Sequence, residues 1–114
     1  MFIALKHKSL DVYKAVSELI KETYKISLLL PPEEKFNMVQ QIRRAALSVK
    51  LNLSEGSTRR SLAERKRFLE IARGSLVEID AALETAVDLE YFTINKLEHR
   101  YFIKQEFCYV IKND

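Results

Sequence analysis

Val39, Ile42, Ala46, Val49 and Leu53 recur at spacings of three, four, three and four. That period fits a helix of 3.6 residues per turn and puts five apolar side chains on one stripe. A strand would need alternation by two. Similar stripes lie on both sides of it. Upstream, Val12, Val16, Leu19, Thr23 and Ile26 share a face that Tyr13, Ile20 and Tyr24 widen. Downstream, Leu69, Ala72, Leu76, Ile79, Leu83 and Ala86 form an unbroken seam, and Phe68, Ile71, Ser75, Ala82 and Leu89 extend it to a second side. A last set, Ile94, Leu97, Tyr101, Cys108 and Ile111, shares one more face. Only two glycines and two prolines occur in 114 residues. Such scarcity of turn formers excludes an all-β domain and favours a few long helices.

The boundaries are punctuated. The first helix is predicted from an N-cap at Ser9 to about Leu29, ended by Pro31-Pro32, because proline excludes the residue before it from helical geometry. The second is predicted to start at Pro32-Glu33-Glu34, where proline suits the first turn and carboxylates complement the helix dipole. Gly56 reads as its C-terminal cap. Ser61-Leu62-Ala63-Glu64 reads as a capping box opening a third helix that runs to about Leu89. Thr93 reads as the N-cap of a fourth, reaching about Ile111. Short connections make consecutive helices antiparallel neighbours. The expected architecture is therefore all-α, an antiparallel up-down-up-down four-helix bundle, with residues 1–114 as a single domain.

Cys108 is the lone cysteine, which excludes an intrachain disulfide and suits a reducing cytoplasm. No secretory signal and no apolar run of transmembrane length is visible, so a cytoplasmic protein without a membrane partner is expected.

Candidates for catalysis fail on spacing or company. A di-iron bundle needs Glu-x-x-His pairs, but Ala4 stands three before His7 and Lys96 three before His99. The Arg-x(4–6)-His pattern of small helical ribonucleases is absent too, since Thr93, Ile94 and Asn95 occupy those positions before His99. His99 reads as a solvent-facing residue and Cys108 as a small buried hydrophobe. Asp80 and Glu84, one turn apart, lack a third ligand and read as a solvated face. The expectation is a non-enzyme with no metal, cofactor or small-molecule substrate. Gly74, inside the third helix beside Ala72 and Ser75, reads as a point of close approach by a neighbouring helix, with a ligand or subunit contact as the alternative.

Charge is the remaining signal. The net charge is +3. Arg43 to Arg73, however, holds nine Lys/Arg against Glu55, Glu64 and Glu70, which makes that segment +6 and leaves the rest −3. Arg43 and Lys50 are seven residues apart, as are Lys66 and Arg73, and Arg59 and Arg60 sit in the predicted loop. With Arg44 and Arg65, these eight form a candidate phosphate-binding set converging on one end and side of the bundle. The competing account is a solvated face partly neutralised by the three glutamates. Only Phe68 is interleaved with these charges, which gives no platform for base stacking.

Two blocks carry a family resemblance. One is Gln41-Ile42-Arg43-Arg44-Ala45-Ala46, then Ser48-Val49, then Asn52-Leu53-Ser54-Glu55-Gly56. The other is Arg67-Phe68-Leu69-Glu70-Ile71-Ala72-Arg73-Gly74-Ser75-Leu76-Val77-Glu78. They resemble the bacterial four-helix-bundle proteins encoded in intervening sequences of 23S ribosomal RNA genes, which are often mislabelled as a ribosomal protein. The accessory variability determinant of diversity-generating retroelements is similar. The opening Ser9-Leu10-Asp11-Val12-Tyr13-Lys14-Ala15 also matches, whereas Leu53-Ser54 stand where the family often has Ile-Ala. The resemblance spans nearly the whole chain and weakens after Tyr91. It implies a homo-oligomeric ring, a pentamer. From the retroelement member it implies RNA or DNA binding through a basic surface and contact with a reverse transcriptase. For most members of that family no biochemical activity is established.

The expected role is thus a non-enzymatic oligomeric bundle whose basic surface holds RNA or DNA. The alternative is a protein–protein scaffold or accessory subunit, for example to a reverse transcriptase. Phe102, Phe107 and Tyr109, outside the last helix's seam, and the two apolar sides of the third helix favour self-assembly in either case.

Overall fold

The apolar seams fold as their spacing requires. The computed structural model describes residues 7–93, with side chains from Val12 onward. It contains helix α1 (His7–Ser27), a short 3₁₀ turn (Pro32–Glu34), helix α2 (Met38–Ser57) and helix α3 (Leu62–Asp88). Val12, Val16, Leu19, Thr23 and Ile26 of α1 are all buried, as are Ile42, Ala46, Val49 and Leu53 of α2 and Ala72, Leu76, Ile79 and Ala86 of α3. Thr23 enters the core at little cost because its hydroxyl donates to the Leu19 carbonyl at 2.7 Å. Tyr24, expected on the same face, is 38% exposed.

Contacts fix the topology. Ile42, near the start of α2, packs in one cluster with Ile26 at the end of α1 and Leu30 beyond it, and with Ala86 at the end of α3 and Phe92 beyond it. Val49 and Leu53, further along α2, pack with Val12, Val16 and Leu19 of α1 and with Ala72, Leu76 and Ile79 of α3. Adjacent helices therefore run antiparallel, and α2 pairs most extensively with α3. Among the described residues the fold is all-α with three helices and no strand. The fourth helix predicted from Thr93, its seam, Phe102, Phe107, Tyr109, His99 and Cys108 lie outside the described residues.

Three expectations are corrected. Ser9 lies inside α1, which begins by His7 and ends at Ser27 rather than Leu29. Pro32-Glu33-Glu34 does not open α2. It forms a separate 3₁₀ turn, and Asn37 (φ −129°, ψ −92°) breaks the backbone before Met38. The cause is tertiary, because the Glu34 carboxylate accepts from Asn37 Nδ2 at 2.9 Å and from the Tyr91 hydroxyl at 2.8 Å. Gly56 is not a cap. It sits inside α2, and Thr58 caps the helix instead.

The two glycines have opposite surroundings. A Cβ on Gly56 would stand 2.9 Å from Phe68 Cβ, closer than carbon atoms pack, so Gly56 lets α2 and α3 approach. A Cβ on Gly74 would meet nothing within 4 Å among the described residues, so neither α1 nor α2 requires that glycine. Gly56→Ala is expected to lower stability by about 1–2 kcal/mol, since overpacking exceeds the gain in helix propensity. Gly74→Ala is expected to raise stability by about 1 kcal/mol. Urea unfolding of both variants checks the pair, and equal shifts would refute the Gly56 contact.

At the end of α3 the chain turns sharply. Glu90 is left-handed (φ 65°), Tyr91 N–H donates to the Ala86 carbonyl and Glu90 N–H to the Val87 carbonyl, both at 2.9 Å, as in a Schellman motif. This turn sends Phe92 into the core and the Tyr91 hydroxyl onto Glu34. The hydrogen bond from Tyr91, followed by that from Asn37, holds the Glu34 carboxyl below its ordinary value of 4.5. The same bond raises the Tyr91 phenol above its ordinary 10.0. A lowered carboxyl pKa gives stability that is present above the unfolded value and lost as pH falls through the folded one. A raised phenol pKa gives stability that is present below the unfolded value and lost as pH rises through the folded one. The bond therefore contributes fully at neutral pH and fades at both extremes. Tyr91→Phe should flatten the fall in Tm on acidification below pH 5. A Tm profile parallel to that of the parent would exclude this coupling.

Candidate nucleic-acid interface

α2 and α3 meet in a tight turn built from local hydrogen bonds. The Ser57 hydroxyl donates to the Ser54 carbonyl at 2.7 Å and the Thr58 hydroxyl to the Glu55 carbonyl at 2.8 Å, which satisfies the last carbonyls of α2. Ser61 Oγ accepts from the Glu64 N–H at 3.1 Å, so the predicted N-cap is made.

Arg59 is held within this turn. Its Nη2 pairs with Glu55 Oε2 at 3.0 Å, and its guanidinium lies 5.1 Å from the centre of the Phe68 ring. Arg65 closes the turn, its Nε donating to the Arg59 carbonyl at 2.7 Å. Arg60 and Lys66 are exposed beside them, together with Arg67, which was left out of the candidate set. From Arg59 to Arg67 the chain thus carries five cations and one carboxylate, Glu64. The exposed Arg59–Glu55 pair is worth less than about 1 kcal/mol and is readily exchanged for a phosphate.

The other candidates do not join this cluster. Arg43 lies at the opposite end of α2, roughly 20 Å away at 1.5 Å per residue. Its Nε donates to Ser27 Oγ at 2.8 Å, and its guanidinium lies 4.7 Å from the centre of the Tyr24 ring. Arg43 is therefore a tie between α1 and α2. Arg44 beside it is exposed, and Lys50 is half-buried midway along α2. Arg73 pairs with Glu70 at 2.6 Å. It also stands seven residues beyond Lys66, roughly 10 Å further along α3 from the turn. The expected convergence of eight residues on one end and side thus reduces to Arg59, Arg60, Arg65 and Lys66, with Arg67 added. The structure, and not the spacing, separates Arg43 from this group, because Ser27 and Tyr24 of α1 engage it at the far end of α2.

No group of three or more metal-ligating side chains exists among the described residues. No described helix is long and apolar enough to cross a membrane.

Fold and surface define an all-helical protein of antiparallel α1–α2–α3 layout with a basic turn at one end. The chain belongs to the 23S rRNA-intervening sequence protein family, whose model matches residues 8–113. The crystal structure of a protein with unknown function from the S23 ribosomal protein family of Bacteroides thetaiotaomicron is similar, with a TM-score of 0.82 and 25% identity, covering 93% of this chain and 96% of that one. No curated protein matches the chain.

Proposed function

We propose that this chain is a non-enzymatic nucleic-acid-binding protein that grips phosphates with the α2–α3 turn. The observation that carries this reading is the exposed set Arg60, Lys66 and Arg67 beside Arg59 and Arg65, five cations against Glu64 and the Arg59-paired Glu55. Such a surface reads charge rather than sequence, and its affinity depends steeply on salt. Fluorescence anisotropy with a labelled RNA at 50 and 200 mM salt tests it. With about three phosphate contacts on a single strand, affinity should fall by roughly 20-fold between the two. No binding at 50 mM salt would overturn the reading and leave the scaffold or accessory-subunit role, for example beside a reverse transcriptase.

The complete protomer in this reading is a four-helix bundle of cytoplasmic location, with the segment from Thr93 to about Ile111 supplying the fourth helix. It assembles as a homo-oligomer, a pentamer. Exposed Leu47, Leu51 and Ile71 on the outward faces of α2 and α3 support assembly. So does the open space at Gly74. Sedimentation as a monomer at micromolar concentration would refute it.

A further inference from the structure

Beside the basic turn lies a recess of about 130 Å³ where the three helices meet, lined by Tyr13, Asn52, Leu53, Ser57, Arg65 and Leu69. Gly56 also borders it and adds no side chain to fill it. Leu53 and Leu69 give apolar walls. Tyr13 is only 8% exposed, yet its hydroxyl finds no hydrogen-bond partner among the described residues. That hydroxyl has under 1 Å² of accessible surface, so it is closed off from the recess, which Tyr13 lines with its other atoms. Asn52 spends its amide nitrogen on Ser48, at 2.8 and 3.0 Å, which leaves its carbonyl oxygen as an acceptor. Arg65 spends Nε on the Arg59 carbonyl, which leaves its terminal nitrogens for an anion.

We infer that this recess receives an unstacked pyrimidine base of a single strand whose phosphates lie on the basic turn. The inference rests on the nucleic-acid reading above and adds the kind of strand bound. An apolar cavity of about 150 Å³ holds a benzene-sized ring, so the recess matches one six-membered ring rather than the two fused rings of a purine. The base edge offers a donor to the Asn52 carbonyl. Arg65 stands at the recess and in the turn at once, which couples base to phosphate. A duplex must first extrude a base at a cost, whereas a single strand presents it unpaired. Stacking on an open aromatic platform is not available at this turn, because the Arg59 guanidinium lies over the Phe68 ring.

The test is anisotropy of the full chain at 50 mM salt with three labelled probes of equal length. These are an oligouridine, an abasic sugar-phosphate strand and an RNA duplex. Oligouridine should bind about tenfold tighter than the abasic strand, the increment of one inserted base. That ratio should approach one in Ser57→Phe, which fills the recess mouth from an exposed position. Ser57→Phe should unfold near the parent Tm, because Ser57 is exposed, so its lost ratio reads binding rather than folding. Equal affinity for oligouridine and the abasic strand, or an unaltered ratio in Ser57→Phe, would overturn the base site while leaving phosphate binding intact. Failure of all three probes to bind would instead overturn the nucleic-acid reading itself.

Discussion

Replacing Arg60, Lys66 and Arg67 together by glutamate is expected to weaken RNA binding by about 10³-fold or more at 50 mM salt, while the fold persists. All three side chains are exposed, and no ion pair to any of them occurs among the described residues. Their loss therefore removes no structural contact. Each contributes roughly one decade of affinity at low salt through counterion release, and reversal adds repulsion to that loss. The salt dependence should flatten together with the affinity. Matched reversal of Arg44, Lys50 and Arg73 serves as the control, because these three are spread along α2 and α3 away from the turn. Anisotropy at several salt concentrations measures both sets. Equal losses would mean that net charge alone governs binding and that the turn is not a site.

The seams were legible because burial repeats with the helix. Ile42, Ala46, Val49 and Leu53 were expected inside at that spacing, and all four are buried. The Ser61 cap was legible for a similar reason, since its partner Glu64 is three residues away. The start of α2 was not. Pro32-Glu33-Glu34 carries every local mark of a helix N-terminus, but the Glu34 carboxylate is held by Tyr91, 57 residues further on. Gly56 was misread because glycine answers two different needs, a left-handed backbone or missing volume. Only the position of Phe68 reveals which one applies.

The candidate site was legible as composition and not as geometry. A run of arginines shows charge, but each guanidinium also donates hydrogen bonds and covers aromatic rings. Arg43 uses those capacities on Ser27 and Tyr24, and so binds α1 to α2. Arg59 divides its own between Glu55 and Phe68. Arg60 and Lys66 keep their charge for solvent or ligand because no carboxylate reaches them in the tight turn. The recess left no mark in the sequence at all. It arises where α1, α2 and α3 cross, from residues more than fifty positions apart.

Leu76→Ala is expected to cost about 3–4 kcal/mol, a large part of the stability of a chain this size. Leu76 is 1% exposed and belongs to the cluster that joins Val16 and Leu19 of α1, Val49 and Leu53 of α2, and Ile79 of α3. Deleting its isobutyl group removes contacts to all three helices at once. The void cannot close cheaply, because the rigid seams on each side are registered by the Ser48–Ser75 hydrogen bond and the Gly56–Phe68 contact. At about 4 °C per kcal/mol, Tm should fall by roughly 12–16 °C. Leu62→Ala supplies the contrast, since Leu62 is 66% exposed and its truncation should cost under about 0.5 kcal/mol. Thermal unfolding of the two variants measures the difference. If Leu76→Ala cost no more than Leu62→Ala, the three seams would not share one packed centre, and the turn and recess that depend on their register would lose their support.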